Sequence, residues 1–161
     1  MGERFAHYSA EPFSGPVRST PLAEQTIHSK PKGFWISVEG NDDGWREWCE
    51  GEEFNLEGLA HRTDIELAPN ANILWLRDAW KIDEVTARYE GLPYPTITTY
   101  RQIDWRPIAE QYQGIIIAPY HWSRRLCDRS RWYYSWDCAS GCIWDAAAIV
   151  VARPSPEDRN G

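Results

Sequence analysis

Apolar residues recur along this chain in two rhythms, and each rhythm predicts a kind of element. Alternation of apolar and polar positions marks strands, and apolar residues three and four apart mark helices. Residues 5–9 form a short apolar-aromatic stretch that reads as a first strand. Gly33-Phe34-Trp35-Ile36-Ser37-Val38 reads as another, with β-favouring residues after a glycine. On that strand Phe34, Ile36 and Val38 share one wholly apolar face, while Gly33, Trp35 and Ser37 share the other. Residues 65–67, 72–77, 115–118, 132–136, 140–144 and 149–151 are further strands by the same reading, and Ile73-Leu74-Trp75-Leu76 is apolar enough to be central.

Three helices interrupt the strands. Asp42 or Asp43 can cap the first, in which Trp45, Trp48 and Cys49 fall on one face. Asp78 opens the second, with Ile82, Val85 and Tyr89 inward and Gly91 as its stop. Asp104 caps the third, with Trp105, Ile108, Ala109 and Tyr112 in register and Pro107 in the first turn, where no donor is lost. Asp145 is expected to cap a short turn. Residues 11–32 carry Pro12, Pro16, Pro21 and Pro31 without a period and read as a loop lying over the domain, and 92–99 read as a second loop. Strands with interspersed helices, not in strict alternation, indicate an α+β fold. One domain over residues 1–152 with a polar tail at 153–161 accounts for the 161 residues.

Composition adds one anomaly. The chain holds 10 Trp, 8 Tyr and 4 Phe. Either these large flat side chains build the core, or some form a surface on which a ring, sugar or base stacks. The longest late apolar run, 146–152, is far short of the roughly 20 residues of a membrane span. The start of the chain has no hydrophobic segment of the kind that directs secretion, so a cytoplasmic protein is expected, with no membrane partner. Cys49, Cys127, Cys138 and Cys142 then read as free thiols, and their spacing is poor for a metal site, even with His61 or His121. The net charge of −7, with acids concentrated between Glu39 and Glu66, disfavours a nonspecific grip on duplex nucleic acid. A single basic cluster, Arg124, Arg125, Arg129 and Arg131, alternates with Trp122 and Trp132 and suits a nucleotide or a short single strand.

Three segments have a composition that points to chemistry. His7-Tyr8-Ser9 closes the first strand with an imidazole and two hydroxyls, groups that fix sugar hydroxyls or hold backbone carbonyls. Trp35 and Ser37 offer an indole and a hydroxyl on one strand face, suited to lining a cleft or to packing under the proline-rich loop. In the run from Trp132 to Trp144, small residues at 138–142 separate two aromatic groups, and Asp137 is the acid among them. Small side chains beside aromatic ones allow close approach to a flat ligand.

Taken in order, these motifs resemble the small ADP-ribosyltransferase superfamily, in particular its His-Tyr-containing bacterial or phage-type branch. The likeness rests on His7-Tyr8-Ser9, on Gly33 to Ser37, on Tyr112-Gln113-Gly114 running into Ile115-Ile116-Ile117, and on Cys142-Ile143-Trp144 leading to Ile149. It implies a split, strongly bent pair of β-sheets with flanking helices and NAD, as substrate, in the cleft between them. It implies that His7 acts in catalysis and holds the adenosine-side ribose, that Tyr8 or Ser9 presents backbone to the nicotinamide amide, that Trp35 is the aromatic neighbour of the nicotinamide, that Gly33 belongs to the cofactor site, and that Ser37 supports it. The implied reaction breaks the nicotinamide–ribose bond and moves ADP-ribose to a protein, nucleic acid or small molecule. A carboxylate then steadies the positive charge that develops on the ribose.

Two departures stand out. Tyr8 occupies the place of the glycine that often follows the first-strand histidine. Ser140 occupies the place of the family's glutamate. Asp137, three residues upstream, is the expected substitute, with Glu39 and Asp145 as alternatives. The competing readings are a tryptophan-rich module that binds a nucleotide or sugar without catalysis, and an interaction protein whose aromatics are only core.

Overall fold

Alternating faces are covered when strands lie edge to edge, and the computed structural model, which describes residues 2–92 and 101–156, builds two sheets from them. The strands are β1 (Arg4–Ser9), β2 (Ile27–His28), β3 (Phe34–Glu39), β4 (His61–Leu67), β5 (Ile73–Leu76), β6 (Glu90–Gly91), β7 (Gln102–Asp104), β8 (Gly114–Ile117), β9 (Ser140–Ile143) and β10 (Ile149–Pro154). Seven form one sheet in the order β10-β4-β1-β3-β9-β8-β5, and β2-β7-β6 form a small second sheet. All neighbours are antiparallel except β5 and β8. That parallel pair needs a crossover, which carries helices α2 (Ala79–Tyr89) and α3 (Trp105–Gln111). Helix α1 (Trp45–Glu52) follows β3, and the single turn α4 (Trp122–Arg125) follows β8.

Both faces of the large sheet are packed. Phe5, Ile36, Val38, Ile65, Ile116 and Ile143 make one apolar layer. Ile115, Ile117, Cys142 and Leu76 make the other, beneath Ile82 and Val85 of α2, Trp105 and Ile108 of α3, and the buried Trp132, Tyr133 and Trp136. The tryptophans settle most of the aromatic excess. Trp105, Trp132, Trp136 and Trp144 are buried, and each indole N–H donates to a fixed oxygen, respectively His28 O, Thr86 Oγ1, Ser29 O and Tyr112 O. A buried indole without an acceptor would forfeit stability, so these four are core by construction.

The sheet opens where β1 meets β3. Their ladder spans only Arg4↔Glu39, Phe5↔Val38 and Ala6↔Ser37. Beyond it β1 stays with β4 as far as Ser9↔His61, while β3 runs with β9 back to Phe34↔Ile143. The two strands therefore part after Ala6 and Ser37.

Several expectations need correction. Residues 132–136 are not a strand: Asp128–Ser135 is a pair of 3₁₀ turns kinked at Ser130. Residues 11–32 are not wholly a loop, because Leu22–Glu24 is a 3₁₀ turn and β2 lies within them. Neither Asp42 nor Asp43 caps α1, whose N-cap is Gly44 with no side-chain bond of its own. Strand β10 continues through Arg153 and Pro154, paired with Asp64 and Thr63, so the tail starts later than Arg153. Asp104 and Asp145 do cap, accepting from Arg106 N and Ala147 N. Of the 92–99 loop, residues 93–99 lie outside the described residues.

Candidate functional site: a tryptophan-lined cleft where β1 and β3 part

A cleft of about 320 Å³ lies where the two strands part. That volume is at the small end of ligand sites, enough for one ring and its sugar. Its lining includes Ala6, His7 and Tyr8 from β1, Trp35, Ile36 and Ser37 from β3, and Trp136, Asp137, Cys138 and Ser140 from the segment entering β9. Lys30, Trp45 and Asn55 complete it. His7, Tyr8, Trp35, Ser37 and Asp137, singled out from the sequence for ligand chemistry, thus meet at one place. Ser9 and Gly33 do not line it. Ser9 Oγ donates to Glu11 O at 2.8 Å. Gly33 serves close packing instead, since a Cβ there would stand 2.7 Å from both Cys142 Sγ and Ile143 O.

His7 fills the gap left by the ladder. Its Nδ1 lies 2.7 Å from Trp35 O, and its ring stacks on Phe34 with centroids 4.3 Å apart. A carbonyl only accepts, so Nδ1 carries the proton and Nε2 of the neutral ring is left as an acceptor. Tyr8 Oη donates to Glu39 Oε1 at 2.6 Å. Burial, reinforced by that carboxylate, pushes the phenol well above its ordinary pKa, so Tyr8 remains a neutral donor and is no base. Arg46 lies over the Tyr8 ring at 5.3 Å.

The floor and walls are indoles. Trp35 meets Trp136 edge-on at 5.0 Å, and Lys30 Nζ sits 5.5 Å from the Trp35 ring centroid. Trp45 stacks on Trp48 at 5.6 Å, with an interplanar angle of 9°. Aromatic pairs of this kind contribute about 0.5–1.5 kcal/mol beyond their buried area. Ser37 Oγ, buried, accepts from Trp45 N at 2.9 Å. A strand hydroxyl therefore does the capping that an aspartate was expected to do, and it fixes the tryptophan that enters the cleft.

Asp137 is held by Arg125. Nη1 and Nη2 of that guanidinium both lie 3.3 Å from Oδ1, and Nη1 also donates to Tyr120 Oη at 2.7 Å and Trp136 O at 3.1 Å. Burial pushes the Tyr120 phenol up, which keeps it the donor in its 2.5 Å bond to Trp136 O. Among the described residues Asp137 Oδ2 has no protein donor. The alternative acids lie elsewhere: Glu39 is taken by Tyr8, and Asp145 accepts from Ala147 N and, at 3.0 Å, from Gln113 Nε2. Ser140, at the glutamate's place, lines the cleft but donates to Cys138 O at 3.1 Å.

The basic cluster is largely neutralised in place. Arg124 grips Asp83 through two 2.8 Å bonds, Arg125 holds Asp137, and Arg131 pairs with Asp128 at 2.9 Å. Trp132 is core, so it is not available to stack a base beside them. No group of histidine, cysteine, aspartate and glutamate suited to a metal ion occurs among the described residues, and no helix among them is long and apolar enough to cross a membrane.

Lys30, Trp45 and Asn55 escaped the sequence reading. Trp45 shares a helical face with Trp48 and Cys49, a spacing that predicts core packing, yet it is only half-buried. Asn55 has a left-handed backbone, φ 48°, which no motif around it announces. The chain matches no protein-family model, no curated protein and no solved structure. The functional reading therefore rests on the cleft.

Proposed function

We propose that the cleft binds the nicotinamide end of NAD and that the protein is an ADP-ribosyltransferase. The observation that carries this reading is the meeting of His7, Tyr8, Trp35, Ser37 and Asp137, drawn from three distant stretches of chain, where β1 and β3 part. The resemblance implies NAD between two β-sheets, whereas β1 and β3 belong to one large sheet, and we assign the ligand to the gap where they part. The groups present suit the ligand. Indoles suit a flat ring, the His7 Nε2 acceptor suits a ribose hydroxyl, and a carboxylate suits a sugar that becomes cationic.

In the proposed reaction the bond between the ribose carbon and the nicotinamide nitrogen breaks. Its electron pair leaves with nicotinamide, which departs neutral. The ribose carbon carries the positive charge until an acceptor nucleophile bonds to it and loses its proton. Asp137 is the group placed to stabilise that charge, through the oxygen that Arg125 does not engage, or to take the acceptor's proton. Tyr8 and Ser37 act on position: one is tied to Glu39 and lies beneath Arg46, the other anchors Trp45.

The test is incubation of pure protein with NAD, with and without cell extract, read by mass spectrometry. Free nicotinamide should appear, together with ADP-ribose or an acceptor heavier by one ADP-ribosyl group. Asp137→Asn should cut turnover by about 10²-fold, the scale on which single electrostatic groups act. A second reading draws on the Arg125–Asp137 pair, which commits one carboxylate oxygen to structure: the cleft binds the nucleotide without breaking it. NAD binding with no nicotinamide release from the wild type would establish that alternative.

A further inference from the structure

The segment before β3 presents one side chain to the cleft on an unusually rigid mount. Ser29 O accepts from Trp136 Nε1 at 3.1 Å, and His28 O accepts from Trp105 Nε1 at 2.9 Å. Lys30 N donates to His28 Nδ1 at 3.2 Å. Two residues on, buried Gln25 clamps Lys32 from both sides, donating to its carbonyl at 2.7 Å and accepting from its N–H at 3.0 Å. The backbone on each side of Lys30 is thus fixed by buried side chains, while among the described residues no carboxylate pairs with its ammonium. Instead Nζ rests over the Trp35 ring, the weak contact expected of a cation with no anion to hold.

We infer that Lys30 is the anion anchor of the cleft: it binds the phosphate joined to the nicotinamide-side ribose, and in doing so leaves the Trp35 face free for the ring. The inference rests on the NAD reading and extends it to the ligand's charge. Among the described residues, Lys30 is the lysine or arginine that lines this cleft, in a protein of net charge −7 that otherwise repels anions. A phosphate offers the ammonium charge-assisted hydrogen bonds, which are stronger than its contact with an indole, so the exchange favours the bound state. The fixed backbone means that only the four-carbon side chain must order, which limits the entropic loss on binding.

Two probes that differ by one phosphate isolate this contact: nicotinamide mononucleotide and nicotinamide riboside, titrated by calorimetry into wild type, Lys30→Met and Lys30→Arg. Wild type should bind the mononucleotide roughly ten-fold or more tightly than the riboside. Lys30→Met should collapse that ratio to near one by weakening the mononucleotide alone, and Lys30→Arg should keep most of it. An unchanged melting temperature in Lys30→Met, whose side chain is half-exposed, shows that the fold is intact. A ratio that persists in Lys30→Met overturns the anchor and leaves the NAD reading standing. Wild type that binds neither the mononucleotide nor NAD overturns both.

Discussion

At the scale of single residues, burial separates the four cysteines more sharply than their spacing does. Cys138 and Cys142 are buried, and burial pushes the first up to about 12 and the second higher still. Cys49 is likewise buried and pushed up to about 11. Cys127 goes the other way: the Arg129 backbone N–H holds its thiol below the usual range. Thiolate is the reactive form, so a thiol reagent at pH 8 should modify one cysteine quickly, and Cys127→Ser should abolish that fast phase. Fast modification of two or more thiols in the native protein contradicts this. The same shifts set an alkaline limit. A thiol whose pKa is raised by folding stabilises fully below its unfolded value, and the contribution is lost as pH climbs through the folded value. The urea midpoint should hold to about pH 8 and decline through the window from 9 to 12, while a midpoint constant to pH 11 would refute the assignment.

Among the elements, those with a long period were legible and those defined by tertiary contact were not. Helices α2 and α3 announce themselves through Ile82, Val85 and Tyr89 and through Trp105 and Ile108, because a buried stripe must repeat at the helical turn. The run from Trp132 to Trp136 misled for a definite reason. Tryptophan and tyrosine favour strands, but here Trp132 and Tyr133 are buried against the α2 side of the core, and a 3₁₀ turn delivers both. Strands β2 and β6 are two residues long and carry no period at all. In the site, the faces of β3 were readable from alternation, whereas Lys30 and Trp45 reach the cleft through loop and helix placement that no local pattern encodes. Two substitutions test the elements. Ser37→Ala removes the hydroxyl that caps α1 from a neighbouring strand and should cost about 1 kcal/mol in urea unfolding. Gly141→Ala puts a Cβ 2.6 Å from Ile116 Cγ1 and 2.8 Å from Ile115 O, between packed strands that cannot part, and should cost about 1–3 kcal/mol. An unchanged unfolding midpoint in either variant counts against the corresponding contact.

For the whole molecule, the question is which concavity a ligand takes. The cleft between β1 and β3 gathers residues from the first strand, the segment carrying Lys30, the start of α1 and the chain at 136–140. A second depression, bounded by Ser19, Leu22, Asn72, Tyr112 and Trp144, lies against α3. Its polar groups are already engaged with one another: Asn72 N donates to Gln113 Oε1, and Gln113 Nε2 donates to Asp145. Hydrogen exchange distinguishes the two, provided the right amides are compared. Any ligand stabilises the folded state globally, by about 2.7 kcal/mol at a hundred times its dissociation constant, and so slows every amide that exchanges through complete unfolding. Amides that exchange through local opening respond only where the ligand sits. With NAD added, such amides should slow at residues 6–9, 29–37 and 136–140, three segments that line the cleft, and remain unchanged at 109–113. Slowing confined to 109–113 and 144 would move the ligand to the second depression and remove Lys30, Trp35 and Asp137 from the binding machinery together.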